Sequence, residues 1–248
     1  MPAENNRQWY EKWFDSHYYH ILYKNRNNEE AERFLNNLAK NIIPNQNSSI
    51  MDLACGKGRH SKYLSSLGHN VKGVDLSPQS IAYAKQYENH NLEFSVHDMR
   101  NNFGMKDFDH ILNLFTSFGY FENEKDNILV LNNVHRALKK QGTLIIDFMN
   151  AHKAMETMVK KEEKEIDGIK FYIKRWVDGL YIKKQIKIQD HGKEFVFEER
   201  VQALKLEHFK TYFEKAKLKL IRTFGNYDLN EFDEKSSNRL IILAEIAQ

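Results

Sequence analysis

Apolar positions recur along this chain with two different spacings, and the change between them predicts where the architecture changes. From about residue 45 to residue 150, short apolar runs alternate with stretches in which apolar residues lie three or four positions apart. The first pattern is typical of buried strands and the second of amphipathic helices, so this order predicts a parallel sheet covered by helices on both faces. The predicted strands of this part are 50–53, 71–74, 92–96, 109–114 and 143–149.

Capping chemistry sets the expected ends of the helices. Serine and asparagine are favoured N-caps, proline is favoured at the first helical position, and glycine commonly follows the last one. These signals predict a helix from Asn28 that ends before Pro44, a helix after Ser77-Pro78, and a helix from about Asn123 to Lys140 that stops at Gly142.

After residue 150 the apolar residues alternate with polar ones, which predicts strands with one buried face. Three such strands, 169–177, 180–188 and 194–203, are separated by turn residues and form an antiparallel meander. A helix at about 206–216 and a hairpin of strands 219–227 and 239–246 close the chain. The expected fold is therefore α/β: a Rossmann-like seven-stranded, mostly parallel sheet with an antiparallel last strand, helices on both faces and a small antiparallel β insert.

Four segments follow from these patterns: an N-terminal aromatic helical arm (1–44), an α/β core (45–150), the β insert (151–204), and a C-terminal helix and hairpin that complete the core sheet (205–248). The arm carries aromatic pairs four residues apart, Trp9/Trp13 and Tyr10/Phe14, as on one helix face. Two interpretations of the arm can hold together. It is a staple that packs onto the core, or a lid over a ligand, because aromatic faces attract cations.

Composition narrows the class of protein. The 248 residues, 41% of them hydrophobic, suffice for one sizeable core. Lys and Arg (37) and Asp and Glu (34) are spread along the chain, so the net charge of +3 forms no basic stripe and nucleic acid is disfavoured as a partner. The single cysteine, Cys55, fits a reducing compartment and is expected to be a small loop residue rather than a nucleophile. We predict a cytoplasmic protein without a membrane segment, because the N-terminus lacks the apolar core of a signal peptide and residues 240–244 are too few to span a bilayer.

A loop of small residues joins the first predicted strand to the next helix, with acids at the strand ends. Gly56 and Gly58 fit a dinucleotide fingerprint only in part, with Ser61 at the third small position. Asp52 lies at the end of the first predicted strand, just before this loop. Its negative charge would repel the anionic pyrophosphate of a dinucleotide, so it suits a cationic ligand better. Asp75, at the tip of the second strand, is placed for ribose hydroxyls.

The stretch IMDLACGKGRHSKYL…GHNVKGVDLS resembles the first two motifs of class I S-adenosylmethionine (SAM) dependent methyltransferases, whose ligand carries a sulfonium and an amino group. The motifs that carry the resemblance lie between about residues 45 and 150, and the resemblance implies that this part is the SAM-binding core. In the rest of the chain the resemblance rests on the predicted architecture alone. It departs at position 54, where alanine replaces the usual first glycine. The alanine predicts that this residue does not need a positive φ.

The resemblance also implies the position of the ligand. It places Asp98 near the adenine amino group, Met99 on the adenine ring, and the end of the fourth strand beside the transferred methyl group. Arg59 is a candidate for a carboxylate, with an exposed arginine as the alternative. The candidate cofactor residues are Asp52, Ala54, Cys55, Gly56, Gly58, Arg59, Asp75, Leu76, Asp98, Met99, Asn113, Leu114 and Phe115.

Methyl transfer from a sulfonium needs little acid or base chemistry, so we assign no catalytic residue and predict no metal. Candidates for a general base, by location alone, are His17, His20, His152, Tyr18 and Tyr19. The weaker candidates for acceptor binding are Tyr18, Tyr19, Thr116, Ser117 and Tyr120.

Four functions remain open at this point. The first is a SAM-dependent methyltransferase that acts on a small-molecule amine or hydroxyl, and the second has RNA or protein as its acceptor. The third is an NAD-linked oxidoreductase, which Asp52 and the terminal hairpin disfavour, and the fourth is a SAM-binding protein without catalysis. The resemblance implies that the insert binds the acceptor. The alternatives are that it mediates a homodimer or only stabilises the fold.

Overall fold

The computed structural model describes residues 8–24, 28–104 and 107–247, and its strands form a seven-stranded sheet and a separate four-stranded sheet. In chain order the strands are β1 (Ser49–Leu53), β2 (Asn70–Asp75), β3 (Leu92–Val96), β4 (Phe108–Asn113), β5 (Leu138–Met149), β6 (Lys161–Ile166), β7 (Ile169–Asp178), β8 (Tyr181–Asp190), β9 (Lys193–Gln202), β10 (Leu218–Phe224) and β11 (Arg239–Ile246).

The large sheet has the order β10-β11-β5-β4-β1-β2-β3. Its neighbours are parallel except at β11, which runs antiparallel to both β5 and β10. The predicted mostly parallel sheet with an antiparallel last strand is therefore confirmed. The chain moves outward from β1 to β3 on one side and from β4 to β5 on the other, so the strand order reverses between β1 and β4. Open α/β sheets bind ligands at the carboxyl ends of the strands beside such a switch point.

Helices cover both faces of this sheet, as predicted. In chain order the α-helices of the described residues are α1 (Trp9–Phe14), α2 (His17–Leu22), α3 (Asn28–Asn41), α4 (Arg59–Ser66), α5 (Pro78–Ala84), α6 (Glu124–Ala137), α7 (Ala151–Glu156) and α8 (Leu206–Lys215). Successive strand residues point to opposite faces, so Ile111 packs in the cluster with α6 and α8 while Leu112 packs in the cluster with α3, α4 and α5. Across the described ranges, no helix has the length and apolarity required to cross a membrane.

Two helix boundaries test the capping predictions. Ser77 caps α5 by accepting a hydrogen bond from Ser80 N, as predicted. The predicted end of α6 at Gly142 is wrong, because the helix ends at Ala137 and Leu138 is already extended. Gly142 lies inside β5, where a Cβ atom would come within 2.8 Å of the Phe108 carbonyl oxygen, so this glycine permits close strand contact and does not end the helix. The side chain of the predicted cap Asn28 lies outside the described part of the chain.

The small sheet is the predicted insert, but it has four strands in the order β6-β7-β8-β9 and not three. Strand β6 was missed because its sequence, KEEKEI, has charged residues at nearly every position and no apolar alternation. It is an edge strand, where charged side chains are common because they discourage pairing with other chains.

The arm packs against both sheets. Trp13 is completely buried in a cluster with Phe171 and Ile186 of the insert. Tyr10 packs in the core and meets the ring of Phe121 edge to face, with 6.1 Å between the ring centroids. This position agrees with the staple interpretation of the arm. Residues 1–7 and 25–27 of the predicted arm lie outside the described ranges.

Candidate functional site

A cavity of about 910 Å³ lies at the carboxyl ends of β1, β2 and β4. The loop after β1 and the ends of β2, β3 and β4 form one wall, while the arm and strand β9 contribute to the opposite one. Its volume is near the upper end of the roughly 300–1,000 Å³ that is usual for small-molecule sites, so it offers room for two small ligands.

The loop after β1 turns through three left-handed residues, Ala54, Gly56 and Gly58, with φ values of 67°, 56° and 78°. The prediction that residue 54 needs no positive φ is therefore wrong. The N–H groups of Ala54 and Cys55 both donate to the Val74 carbonyl, at 2.8 and 3.0 Å, and the chain turns at Ala54 to bring both there. A non-glycine residue in this region costs roughly 1–2 kcal/mol, which these two hydrogen bonds help to offset.

Gly58 does not line the cavity, but it fixes the position of the helix that follows. A Cβ atom on Gly58 would lie 2.5 Å from the Phe94 ring, so glycine lets the start of α4 pack closely on β3. Cys55 lines the cavity with its thiol largely buried, and this burial raises the pKa of the thiol. A thiol in this environment stays protonated, in agreement with the expected packing role.

Asp52 lines the cavity from the end of β1 and is buried. Ser61 in α4 donates a hydrogen bond of 2.6 Å to its carboxylate. Burial, assisted by the negative charge of Asp75, raises the pKa of Asp52 to about 6 although the hydrogen bonds from Ser61 oppose the shift. A cation bound beside this carboxylate would favour its ionised form.

Asp75, at the end of β2, also lines the cavity and holds the loop in place. Its two carboxylate oxygens accept hydrogen bonds from the N–H groups of Gly56 and Ser77, each at 2.8 Å. Burial raises the pKa of Asp75 even against these hydrogen bonds. A carboxylate oxygen accepts more than one hydrogen bond, so Asp75 can bind hydroxyl groups while it holds the loop.

Asp98 and Met99 line the cavity beyond β3. Arg100 approaches Asp98 with two guanidinium nitrogens, at 3.0 and 2.6 Å, and its own N–H donates at 2.9 Å. Burial alone would raise the pKa of Asp98, but the hydrogen bonds and charge of Arg100 outweigh it and the pKa is lowered. Asp98 is therefore ionised at neutral pH and available as an acceptor.

The chain after β4 makes a strained turn at the cavity. Leu114 and Phe115 line the cavity, whereas Asn113 lies behind it and donates to the Leu53 carbonyl at 3.0 Å. Phe115 and Thr116 both have positive φ values, 58° and 62°, which are uncommon for residues with side chains. The Phe115 ring stacks on His60, with 4.6 Å between the ring centroids.

A buried carboxylate holds this turn, and the sequence analysis missed it. Asp147 in β5 is completely buried and accepts hydrogen bonds from Phe115 N (2.9 Å), Tyr227 Oη (3.1 Å) and Arg239 Nε (2.7 Å). Its carbonyl accepts the N–H of Thr116 at 2.8 Å, and Arg239 donates to the Thr116 hydroxyl at 3.0 Å. An acid inside the apolar run LIIDFM was a signal that could have revealed this residue.

The structure brings most of the predicted residues to one cavity. Cofactor candidates that line it are Asp52, Ala54, Cys55, Gly56, Arg59, Asp75, Leu76, Asp98, Met99, Leu114 and Phe115. Acceptor candidates that line it are Tyr19, Thr116, Ser117 and Tyr120.

Other candidates lie elsewhere. Tyr18 points to the end of the insert, where its hydroxyl donates to Asp190 at 3.0 Å and its ring packs near Phe195. Of the three histidines considered as bases, His20 lines the cavity and His17 and His152 do not. Among the lining residues that the sequence analysis did not single out are Tyr23, Glu199 and Arg239.

Comparisons with known proteins agree on the family. The model of a family described as a methyltransferase domain matches residues 44–217. A putative methyltransferase of Bacillus subtilis, YqeM, is 34% identical over 110 residues, which are 43% of this chain and 44% of that protein. A glycine/sarcosine/dimethylglycine N-methyltransferase of Actinopolyspora halophila is 30% identical over 153 residues, 59% of this chain and 26% of that protein. The chain thus spans less than half the length of these two curated relatives.

Solved structures show the same fold. A SAM-dependent methyltransferase from Clostridium acetobutylicum superposes with a TM-score of 0.78 at 20% identity, covering 93% of this chain and 96% of that one. A SAM-bound amino pentose methyltransferase from Micromonospora echinaspora gives 0.67 at 15% identity and covers 99% of each chain.

Proposed function

Because this chain belongs to the class I SAM-dependent methyltransferase family, we propose that it transfers a methyl group from SAM to a small-molecule acceptor, an amine or a hydroxyl. The observation that carries the proposal is the cavity of about 910 Å³ that is lined by the strand ends of the core together with residues of the arm and the insert. Its size suits SAM together with a small second molecule.

The residues at the strand ends fit SAM by their chemistry. Buried Asp52 offers a negative charge to a cationic ligand, and Asp75 offers oxygens to hydroxyl groups. Asp98 and Met99 follow on the same wall and suit an adenine, through an acceptor oxygen and an apolar surface respectively. Arg59 lines the cavity at the start of α4 and suits a carboxylate.

When bound, SAM supplies an electrophilic methyl group on a sulfonium whose positive charge is lost on transfer. The contribution of the protein is mainly to hold the donor and the acceptor in line, and such positioning can lower a barrier by roughly 7–11 kcal/mol. The Phe115–Thr116 turn is held by Asp147 and forms part of the cavity lining. Aromatic side chains of the arm, among them Tyr10, Phe14 and Tyr19, line the same cavity.

The names of several relatives support a small-molecule acceptor. Besides the N-methyltransferase of Actinopolyspora halophila already described, a glycine/sarcosine N-methyltransferase of Halorhodospira halochloris is 32% identical over 147 residues, 56% of this chain and 51% of that protein. Methylation of small amines is therefore represented among related sequences.

A direct assay tests the proposal. We expect the purified protein to convert SAM to S-adenosylhomocysteine in the presence of small amines or alcohols, with a product 14 mass units heavier than its acceptor. A suitable panel is glycine, sarcosine, glucosamine and benzylamine, with glucose and benzyl alcohol as hydroxyl counterparts. Turnover on tRNA or protein alone, with none on any member of the panel, would contradict the proposal.

The titration of Asp52 predicts how SAM affinity depends on pH. The pKa of Asp52 is raised to about 6, so its carboxyl group is mostly protonated at pH 5 and mostly ionised at pH 7. A cation binds the ionised form, so SAM affinity should rise by about tenfold from pH 5 to pH 7 and then level off. The α-amino group of SAM stays protonated over this range because such groups titrate at about 7.7–8.0.

Calorimetric titration with SAM at pH 5, 6 and 7 measures this effect. The Asp52→Asn variant is the matched control, since it keeps an oxygen for Ser61 and removes the titrating group. Its affinity should be weaker and nearly independent of pH. Equal pH dependence in both proteins would show that another group is responsible.

A further inference from the structure

The inner face of the insert contains one charged row among apolar rows. Strands β7, β8 and β9 align residue by residue, so the residues that face the arm form rows of three. The apolar rows are Phe171/Ile188/Phe195, Ile173/Ile186/Phe197 and Val177/Ile182/Val201, and the charged row is Arg175/Lys184/Glu199.

At the β9 end of this row, side chains of the arm hold Glu199 by hydrogen bonds. Trp13 Nε1 donates to Glu199 Oε1 at 2.6 Å, and the Tyr23 hydroxyl donates to the same oxygen at 2.8 Å. Lys184 Nζ lies 3.3 Å from Glu199 Oε2 and also donates to the Tyr23 hydroxyl. The side chains of Lys184 and Glu199 are only 12% and 16% exposed.

At the β7 end of the row, Arg175 has an acidic partner of its own. The Arg175 guanidinium pairs with Glu162 of β6 at 2.7 Å. Burial and the nearby charge of Arg175 lower the pKa of Lys184, against the opposing effect of Glu199.

Stability alone gives little reason for a charged row at this place. A buried ion pair is often no more stabilising than apolar residues of similar volume, because both charges lose their hydration. The neighbouring rows show that this sheet face readily accommodates apolar side chains. Glu199 lies in β9 of the insert and lines the cavity, so its charge faces the proposed ligand site.

Aromatic rings of the cavity lead to Glu199, because Tyr19 lies 5.0 Å between ring centroids from Tyr23, whose hydroxyl donates to Glu199. Phe14, Tyr19 and Tyr120 all line it, and Phe14 lies 5.1 Å from Tyr19 and 5.2 Å from Tyr120 between ring centroids. A carboxylate beside aromatic faces is a suitable environment for a cation, since both attract positive charge.

We propose that Glu199 binds the amino group of the acceptor, so that the enzyme methylates nitrogen in preference to oxygen. The inference rests on the proposed function of the cavity. The amine gives the proton of its ammonium form to water and binds in its neutral form, in which it donates an N–H to Glu199 Oε2. A carboxylate oxygen can accept a second hydrogen bond besides the one from Lys184.

During the reaction the positive charge passes from the sulfonium to the acceptor nitrogen, which lies beside Glu199. The nitrogen lone pair forms the new bond to the methyl carbon, and the electrons of the broken sulfur–carbon bond remain on sulfur. The nitrogen becomes a positively charged ammonium beside Glu199, and its surplus proton leaves to water after transfer. Because Glu199 attracts this product charge more than the neutral amine, it stabilises the transition state over the bound substrate.

A hydroxyl acceptor would need a different environment. Its oxygen must lose a proton to remain neutral after methylation, which calls for an effective base. Glu199 already accepts from Trp13 and Tyr23 and pairs with Lys184, so we assign it to the developing ammonium charge and not to proton removal.

The Glu199→Gln variant tests the inference with a matched control. Glutamine retains an oxygen that accepts from Trp13 and Tyr23 but removes the charge. Glu198→Gln makes the same change one residue earlier, on the exposed outer face of β9 opposite Gln185. The wild-type protein is first assayed with benzylamine against benzyl alcohol and glucosamine against glucose, and both variants are then assayed with the acceptor that reacts best.

We expect nitrogen to be methylated and kcat/KM of Glu199→Gln for the amine to fall about 100-fold. Binding of that amine to the protein loaded with S-adenosylhomocysteine should weaken about tenfold, while SAM affinity stays within twofold of wild type. Glu198→Gln should match wild type in all three measurements. A purely structural role for Glu199 would change the melting temperature without this selective loss.

Three outcomes would overturn the inference, and they can be told apart. Preferred methylation of the alcohols, or an unchanged kcat/KM in Glu199→Gln, would refute the role of Glu199 and leave the proposed small-molecule function intact. Absence of transfer to every amine and alcohol would refute both.

Discussion

The Asp147→Ala variant is expected to lose about 3 kcal/mol of its free energy of unfolding. Asp147 is completely buried and forms an ion pair with Arg239, whose side chain is only 20% exposed. Removing one partner of a buried ion pair costs roughly 3–5 kcal/mol because the other charge is left uncompensated. Because the side chain of Arg239 is partly exposed, we expect the loss of unfolding free energy to lie near the lower end of this range. For a chain of this size the melting temperature should fall by about 6–12 °C.

The same substitution should also loosen the cavity. It removes the acceptor of the Phe115 N–H, which helps to hold a turn of two left-handed residues. Once that hydrogen bond is lost, the strained turn is free to relax to a more common conformation. SAM affinity should therefore decrease even at temperatures where the variant is folded.

Differential scanning calorimetry measures the stability change. Asp228→Ala is the matched control, because it removes an Arg–Asp pair that is 3.4 Å apart and has both side chains more than half exposed. Exposed pairs typically contribute 0–1 kcal/mol, so the control should melt within about 4 °C of wild type. Similar losses in the two variants would contradict the importance of the buried pair.

The Asp75→Ala variant should bind SAM at least about 100-fold more weakly than wild type. Asp75 accepts the N–H groups of Gly56 and Ser77, so its removal leaves the glycine loop without two of its hydrogen bonds. It also removes the carboxylate that we assign to the ribose hydroxyls. Hydrogen bonds to charged groups contribute roughly 1.5–3 kcal/mol each, and every 1.4 kcal/mol is a tenfold change in affinity.

Titration calorimetry with SAM and with S-adenosylhomocysteine tests this prediction. Both ligands carry the ribose, so both should lose affinity to a similar extent. Asp228→Ala again serves as the control and should bind both ligands as wild type does. A loss limited to SAM would assign Asp75 to the sulfonium and not to the ribose.

Much of the fold could be predicted because its signals are local. The strands of the core are short apolar runs, and β3 has the predicted bounds Leu92–Val96. The loop after β1 was recognisable because glycines and acids have fixed spacings there. Asp52 and Asp75 could be placed together since the carboxyl ends of parallel strands meet at one edge of the sheet.

The remaining features depend on residues far apart in sequence. Asp147 and Arg239 are 92 residues apart and meet only because β11 pairs with β5. Glu199 faces the cavity because the register of β8 and β9 sets its direction, and a shift of one residue would turn it outward. The positive φ of Ala54 reflects two hydrogen bonds to Val74 that no local pattern specifies.

Calorimetric titration of the unmodified protein with SAM, S-adenosylhomocysteine and NAD tests the central claim most directly. The buried Asp52 beside the glycine loop favours a cationic ligand over a pyrophosphate. We predict micromolar binding of SAM and S-adenosylhomocysteine and no binding of NAD. Binding of NAD, or of none of the three ligands, would contradict the assignment of this cavity to SAM.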